Sequence, residues 1–370
     1  MKGKIIYYRR LSLILLPVLA VFLAVEGTWC PGLPHHWTFI TVIVLALLAL
    51  CLTSVNDFFG KATVPLLSHT GMALVLIGGL LGAVDSVDVQ MQIYKGAPTE
   101  REAFDHRGNL VRLPFGVSLE DLRIDYYEDG TSPKQFTSLL SVDGSKLRTS
   151  VNHPGRYRGY RIYQYGYDPD SRQYSVLKIV RDPFLPVVAL GALLLLSAAL
   201  LGLKKIWRGW KVLVAALALS VVFASISVAG ISFGTLVPAL RSLWFIPHLT
   251  VYMLAYSILA LAVFIGIASI FSKKIPDDLT GKLLSTSSSL LLIGMLCGAV
   301  WAQQAWGGYW TWDAKECWAA ATWLLTLCGI HTKKKKLMLA FVVISFLAMQ
   351  MTWYGVNYLP SSGQSLHTYN

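Results

Sequence analysis

The chain has 370 residues, of which 55% are hydrophobic and only 14% are charged, and its mean hydropathy is +0.54. This composition excludes a single soluble globule and predicts a polytopic membrane protein. The net charge of +12 does not indicate nucleic-acid binding, because the lysines and arginines cluster in the loops between apolar segments.

Nine apolar segments are close to the length of about 20 residues that a helix needs to cross a bilayer. The first follows the basic sequence MKGKIIYYRR and could be taken for a signal peptide. Because no convincing cleavage site follows, we interpret it as an uncleaved span. The predicted spans are residues 11–26, 37–55, 64–84, 184–203, 211–231, 247–271, 283–302, 318–332 and 337–353.

The basic residues predict the orientation. With the amino terminus in the cytoplasm, sixteen lysines and arginines fall in or beside the inner loops, whereas the short outer loops hold Arg241 and Lys315. The positive-inside rule therefore predicts a cytoplasmic amino terminus and an extracytoplasmic carboxyl terminus. The run Lys333 to Lys336 is then a topology anchor rather than a binding patch. The five cysteines form no CxxC pair, so a thiol relay is not expected.

Residues 85–182 form the one long polar region and should be extracytoplasmic. Their alternating apolar and polar residues predict strands, and Asp143-Gly144 predicts a hairpin turn. The tyrosines that follow should pack the core of this domain, although a ligand-binding face is an alternative; they are Tyr157, Tyr160, Tyr163, Tyr165 and Tyr167. The predicted fold class is an all-α polytopic membrane protein of about nine helices with one small β-rich extracytoplasmic domain. The predicted domain boundaries are 1–84, 85–182, 183–245 and 246–370.

Four histidines fall at matched depths in this topology. His69 and His331 lie near the inner ends of two spans, and His248 and His367 lie on the outer side. An ionisable residue in a membrane segment is costly and usually has a partner, and neutral imidazole is a common ligand of iron. Each histidine alone could be a packing residue or a helix-end cap. Two imidazoles at one depth, however, are what a six-coordinate haem iron requires, so we predict an inner and an outer pair.

The stretch WAQQAWGGYWTWDAKECWAAATW, residues 301–323, holds six tryptophans. It could be an aromatic belt at the membrane interface, and Asp313 with Glu316 fits a capping box at a helix start. A belt needs fewer indoles than this connection carries. Several flat apolar faces beside water suit a wide planar amphiphile with charged edges, such as haem.

The same stretch resembles the WWD motif of haem-handling membrane proteins, in the form typical of the CcsA (ResC) family of system II cytochrome c biogenesis. The sequences PHLTVYMLAYS, GIH and WYGVNYLPSSGQSLHTY match that family in kind and order. The amino-terminal half, from about residue 60, is similar to the CcsB (ResB) family in LLSHTGMALVLIGGLLG, in MQIYKG and in the polar region. The chain thus resembles a fused CcsBA protein whose CcsB-like outer domain is shorter than in many relatives.

The resemblance implies a bacterial cytoplasmic membrane protein that exports haem b and attaches it by two thioether bonds to the CxxCH motif of apocytochrome c, as a cytochrome c haem lyase. It implies that His69 and His331 bind haem on the inner side and that His248 and His367 bind it on the outer side. The implied porphyrin cradle consists of Trp306, Trp310, Trp312, Asp313, Glu316 and Trp318. The implied partners are apocytochrome c, thiol-reducing proteins of the outer face and the lipid membrane, with no nucleic acid.

Two other functions are compatible with these residues. A haem permease or handling protein would export and present haem but leave its attachment to a separate ligase. A redox-linked membrane protein would use the same histidines to hold resident b haem for electron transfer.

Overall fold

The computed structural model describes residues 2–29, 36–168, 171–206, 236–276 and 278–359. The predicted fifth span, residues 211–231, and His367 lie outside the described residues. The described part contains eight long helices: α1 (Lys2–Thr28), α2 (Trp37–Phe59), α3 (Thr63–Asp85), α4 (Leu185–Ile206), α5 (Phe245–Phe271), α6 (Leu279–Ala305), α7 (Ala314–His331) and α8 (Lys335–Trp353).

Six of these helices, α2 to α6 and α8, are long and apolar enough to cross a membrane. Leucine, alanine, valine and isoleucine dominate these helices. The charged residues of the surrounding sequence lie mostly in the connections between the helices. Within helix α1, the stretch Leu13–Thr28 is apolar but shorter than a full span. Helix α7 begins with the polar sequence AKEC, which lowers its hydropathy. The expected number of about nine spans is therefore not reached among the described residues.

The polar region folds into one antiparallel sheet of eight strands: β1 (Val87–Tyr94), β2 (Glu100–Asp105), β3 (Leu110–Tyr126), β4 (Pro133–Val142), β5 (Ser145–Ser150), β6 (Gly155–Tyr157), β7 (Tyr160–Tyr167) and β8 (Tyr174–Arg181). Their order is β5-β4-β3-β2-β1-β8-β7-β6. The sheet curls until its two ends meet, because Ser138 on β4 hydrogen-bonds to Gln164 on β7 and Ser150 bridges to His153. The strands enclose an apolar core that includes Ile93, Phe115 and Leu140.

The predicted hairpin at Asp143-Gly144 is confirmed. Both residues have positive φ, 47° and 82°, as a two-residue type I′ turn requires, and Val142 pairs with Ser145. The Asp143 carboxylate accepts hydrogen bonds from the Gly116 N–H at 2.9 Å and from the Tyr157 hydroxyl at 3.2 Å. These bonds, the one from Gly116 above all, hold the pKa of Asp143 below its ordinary value.

The prediction for the five tyrosines is right in part. Tyr160 is buried in the sheet core and Tyr157 packs against it, whereas Tyr165 is exposed. Tyr163 is buried, and its hydroxyl contacts a helix rather than the sheet. Strict alternation of side chains along β7 breaks at a bulge between Gln164 and Gly166, which the sequence pattern did not reveal.

The predicted fold class is wrong. An eight-stranded antiparallel sheet that extends from residue 87 to residue 181 makes the protein a mixture of α and β structure rather than all-α. The sheet is also larger than the small domain expected, although its β-rich character agrees with the prediction. The hydrophobic segments dominate the composition and therefore dominated the prediction of the fold class. The alternating pattern of the polar region is a weaker signal of secondary structure.

The helices pack in a bundle around α5, α6, α7 and α8. Helix α1 packs against α7 and α2, helix α2 packs against α3, and helix α3 packs against α4, which in turn packs against α6. Helices α3 and α4 approach closely at two glycines: a Cβ on Gly71 would lie 2.8 Å from the Gly191 carbonyl oxygen, and a Cβ on Gly191 would lie 2.6 Å from that of Gly71. Small residues at such crossings let helix backbones pack directly inside a membrane.

The sheet contacts one end of the bundle, which we call the sheet side; the opposite end, with the connections 60–62, 272–278 and 332–334, is the far side. Gln303 of α6 donates a hydrogen bond from Nε2 to the Tyr163 hydroxyl of β7 at 3.0 Å and another to the Gly307 carbonyl at 3.1 Å. Gly307 has φ of +83°, and a Cβ there would lie 2.9 Å from the Tyr163 ring. The sheet thus packs directly against the loop that follows α6.

The glycine crossing gives a first prediction. Gly191→Ala should lower the midpoint of thermal unfolding in detergent by several degrees, because the methyl group meets backbone atoms that cannot rotate away, and overpacking costs about 1–3 kcal/mol. Gly202→Ala in the same helix is the matched control, since the nearest atom would be 3.9 Å from its Cβ. Equal midpoints for the two variants would contradict the close crossing.

Candidate functional site

The two far-side histidines lie next to each other. His69 lies in the second turn of α3 and His331 is the last residue of α7, and their ring centres are 6.5 Å apart with the planes inclined by 45°. Imidazole binds metals at about 2 Å, so two rings on opposite sides of one metal ion have centres about 6 Å apart. The observed spacing fits such a pair.

The three described histidines of interest share one hydrogen-bond pattern. Nδ1 of each lies within hydrogen-bond distance of an oxygen that can only accept: the Asp57 carboxylate for His69 at 2.7 Å, the Leu327 carbonyl for His331 at 2.8 Å and the Gly294 carbonyl for His248 at 2.8 Å. Nδ1 therefore carries the proton in each neutral ring and the lone pair is on Nε2. This is the tautomer that metal-binding histidines adopt.

The described residues contain no group of three or more histidine, cysteine, aspartate or glutamate side chains that could hold a metal ion by themselves. Haem iron needs two ligands besides the four nitrogens of the porphyrin. Two imidazoles at the spacing of His69 and His331 fit that requirement.

On the sheet side, His248 lines a cleft with a volume of about 280 Å³ between α5, α6, α7 and the loop 306–312. The walls combine aromatic faces with a few polar groups: Tyr252, Tyr256, Tyr309, Trp310 and Trp353 supply the rings, and Lys315 and Glu316 supply charge. Tyr252 and Tyr256 follow His248 at intervals of four residues on α5, so all three lie on one helix face. An apolar cleft with a few polar groups is typical of a ligand site.

Glycines on α6 make room for the cleft residues of α5. A Cβ on Gly298 would lie 2.7 Å from both Nδ1 and Cε1 of His248, and a Cβ on Gly294 would lie 2.8 Å from the Tyr252 ring. The His248 ring also packs against Tyr252 and Trp301, with centres 4.9 Å and 5.8 Å away. Contacts on several sides thus fix the orientation of this imidazole.

The start of α7 holds the loop in place. The Asp313 carboxylate accepts a hydrogen bond from the Glu316 N–H at 2.8 Å, as predicted for an N-cap. The Glu316 carboxylate accepts hydrogen bonds from the Thr311 N–H at 2.6 Å and from the Thr311 hydroxyl, two residues before the cap. Glu316 therefore ties the loop to the helix and still lines the cleft.

The predicted cradle residues occupy different places. Trp310 and Glu316 line the cleft, and the Trp310 indole Nε1 is buried without a hydrogen-bond acceptor among the described residues. Trp306 packs against Trp301, Trp312 packs against Phe39 of α2, and Trp318 lies beside Gly27 of α1. Three tryptophans of the motif therefore hold neighbouring elements rather than wall the cleft.

Sequence reasoning missed five of the cleft residues named above, namely Tyr252, Tyr256, Tyr309, Lys315 and Trp353. The spacing of Tyr252 and Tyr256 from His248 could have predicted two tyrosines on the histidine's face of α5. Trp353 could not have been predicted, because only the packing of α8 against α5 brings it there. Asp57, the hydrogen-bond partner of His69, was missed as well.

The cleft gives a second prediction. Gly298→Ala should displace the His248 ring and alter the absorption bands of haem bound on the sheet side, because the new methyl group overlaps the imidazole. Gly281→Ala in the same helix is the control, since its Cβ would lie 3.7 Å from the Met338 sulfur. Visible spectra of the two variants, as isolated and after dithionite, provide the measurement; identical spectra would contradict the assigned position of His248.

Comparisons with known proteins match two families to successive parts of the chain. Residues 60–171 match the ResB-like family, and residues 183–362 match the cytochrome c assembly protein family. Among curated proteins, the chain is 32% identical to the cytochrome c biogenesis protein CcsA of Mesostigma viride, over 36% of this chain and 57% of that one. It is 34% identical to the CcsA protein of Chlamydomonas reinhardtii, over 36% and 42%, and 42% identical to that of Oryza sativa, over 25% and 30%.

The chain spans about half the length of the first two of these relatives. The two family matches follow each other along the chain, separated only by residues 172–182, and both histidine sites described above include residues that lie within them. The chain therefore joins a ResB-like domain and a cytochrome c assembly domain in one polypeptide, which is the arrangement of a fused CcsBA-type protein.

Proposed function

We propose that this protein acts in cytochrome c biogenesis, where it moves haem b across the membrane and attaches it to the CxxCH cysteines of apocytochrome c. One observation supports this proposal more strongly than any other. A histidine pair with the spacing of two axial ligands lies at one end of the bundle, and a histidine on the wall of an aromatic cleft lies at the other. Both family matches support the same reading.

The proposed location is the bacterial cytoplasmic membrane, and the charges support an orientation with the far side in the cytoplasm. Ten described lysines lie in or beside the far-side connections and helix ends: Lys61, Lys204, Lys205, Lys273, Lys274, Lys282 and Lys333 to Lys336. Under the positive-inside rule this end faces the cytoplasm. The sheet, the cleft and the carboxyl terminus are then extracytoplasmic, and His69 with His331 forms the entry site.

In this proposal haem is the substrate and passes between two sites. His69 and His331 present Nε2 lone pairs to the iron at the inner site. His248 presents its Nε2 lone pair to the iron at the outer site, where His367 is the proposed second ligand of the iron. Trp310, Tyr309 and Tyr252 offer flat faces and edges to the porphyrin. Lys315, in the same cleft, offers a positive charge to the two carboxylates of haem. The proposed roles of Trp306, Trp312, Asp313 and Trp318 are to hold the cleft walls.

Attachment requires no acid or base from the protein. Each cysteine thiol adds across one vinyl group, so that a carbon–sulfur bond forms and the thiol hydrogen ends on the other vinyl carbon, with no oxidant or reductant consumed. Holding vinyl and thiol together converts a bimolecular addition into an effectively unimolecular one, which can contribute several kcal/mol. The protein therefore works as a haem lyase by positioning. Thiol-reducing proteins of the outer face are the proposed partners that keep the client cysteines reduced.

The alternative is a haem-handling protein that presents haem to a separate ligase. The presence of a ResB-like domain beside the CcsA-type domain favours the synthase, because the sheet packs on the loop of the cleft through Tyr163, Gln303 and Gly307. A presenting protein would need only the helical half.

The ligand assignment gives a third prediction. Purified wild-type protein should show sharp reduced α and β bands, and alanine at His69, His331, His248 or His367 should weaken them, because each variant removes one axial ligand. Added imidazole should restore the bands by filling the vacated position. His106→Ala, on the exposed turn between β2 and β3, is the control. A colourless wild type from haem-replete cells would contradict the assignment.

The activity gives a fourth prediction. Expression of this chain alone in a bacterial host that lacks its own cytochrome c maturation system should yield a reporter cytochrome with covalently bound haem. His248→Ala should abolish the covalent product while haem still reaches the inner pair. Haem bound to the chain without any covalent reporter product would favour the alternative.

A further inference from the structure

Asp57 lies beside the inner histidine pair, on a helix that carries no predicted ligand. It occupies the last turn of α2, and only residues 60–62 separate α2 from α3. The Ala62 N–H donates to the Asp57 carbonyl at 2.9 Å, and Lys61 adopts φ of 53°, so the connection is tight. This hairpin places the Asp57 side chain opposite His69, which lies twelve residues further along the chain.

The Asp57 side chain is buried and points at one partner. Its residue exposure is 9%, and Oδ2 lies 2.7 Å from His69 Nδ1. Among the described residues, His69 is the one group that hydrogen-bonds to this carboxylate. A buried carboxylate in an otherwise apolar helix is costly and persists where a partner compensates it. The contact is therefore a specific feature of the inner site.

The two other histidines differ in their acceptors. His331 and His248 donate from Nδ1 to the neutral carbonyl oxygens of Leu327 and Gly294, whereas His69 donates to a carboxylate. A carboxylate that accepts the Nδ1–H orients the ring and raises the basicity of Nε2. A more basic ligand donates more charge to iron and stabilises the ferric form relative to the ferrous form.

We infer that Asp57 is a positioning residue for His69: it fixes the orientation of the imidazole ring and lowers the reduction potential of haem at the inner site. This inference rests on the proposed function.

The test uses the full chain with His248→Ala, so that the visible spectrum reports the inner haem. Asp57→Asn keeps an oxygen acceptor for Nδ1–H but removes the charge. It should retain the bands and raise the ferrous-to-ferric ratio at a fixed solution potential at least tenfold, which is 59 mV for one electron. Asp57→Ala should also lower haem affinity by about 10–100-fold, because the ring loses its orienting partner.

Asp278→Asn is the matched control, because it removes an exposed far-side carboxylate that pairs with Lys282 at 2.6 Å. It should leave both potential and affinity unchanged. An unshifted potential in Asp57→Asn would overturn the inference, whatever the alanine variant does. Thermal unfolding of each variant verifies that it is folded.

His69→Ala in the same His248→Ala background distinguishes a failure of the inference about Asp57 from a failure of the proposed function. If it abolishes the inner haem while Asp57→Asn and Asp57→Ala match the parent, the inference fails and the proposed function stands. If His69→Ala keeps the inner haem and its potential, the proposed ligand pair itself is wrong.

Discussion

The cost of burying polar groups inside an apolar helix bundle governs this molecule. Each histidine within the bundle pairs its Nδ1–H with an acceptor: a carboxylate for His69 and backbone carbonyls for His331 and His248. Unpaired, these groups would cost several kcal/mol each in a hydrocarbon environment. The pairing that removes this cost also settles the tautomer and directs each Nε2, so the requirement for stability and the requirement for ligand binding are met by one set of hydrogen bonds.

Glycine makes these arrangements possible. Gly298 and Gly294 leave the space that His248 and Tyr252 occupy, and Gly71 with Gly191 lets α3 approach α4 close to His69. Gly307 allows the sheet to reach the loop of the cleft through Tyr163. The ResB-like and CcsA-type parts of the chain are therefore joined at the loop that carries the tryptophan motif, which gives a physical reason for having both in one polypeptide.

The predictable parts of this protein are those with a local signal. Apolar runs predicted each end of the described helices to within four residues, except at the start of α1, and Asp143-Gly144 predicted its hairpin. The depth argument brought His69 and His331 together before any packing was known. The closure of the sheet, the break in alternation at Gly166 and the separate contacts of Trp306, Trp312 and Trp318 were not predictable, because they depend on which elements pack together. Asp57 was overlooked because a single acidic residue near a helix end is usually interpreted as a solvated group at the membrane–water interface.

The central claim is that haem binds at two levels of this bundle, between His69 and His331 and in the cleft beside His248. The most direct measurement is an electron cryomicroscopy map of the full chain purified from haem-replete cells. The account predicts flat porphyrin density whose centre lies between the His69 and His331 rings, and a second such density against Trp310 with its centre next to His248 Nε2. Porphyrin density at neither position, with haem bound elsewhere on the protein, would contradict it.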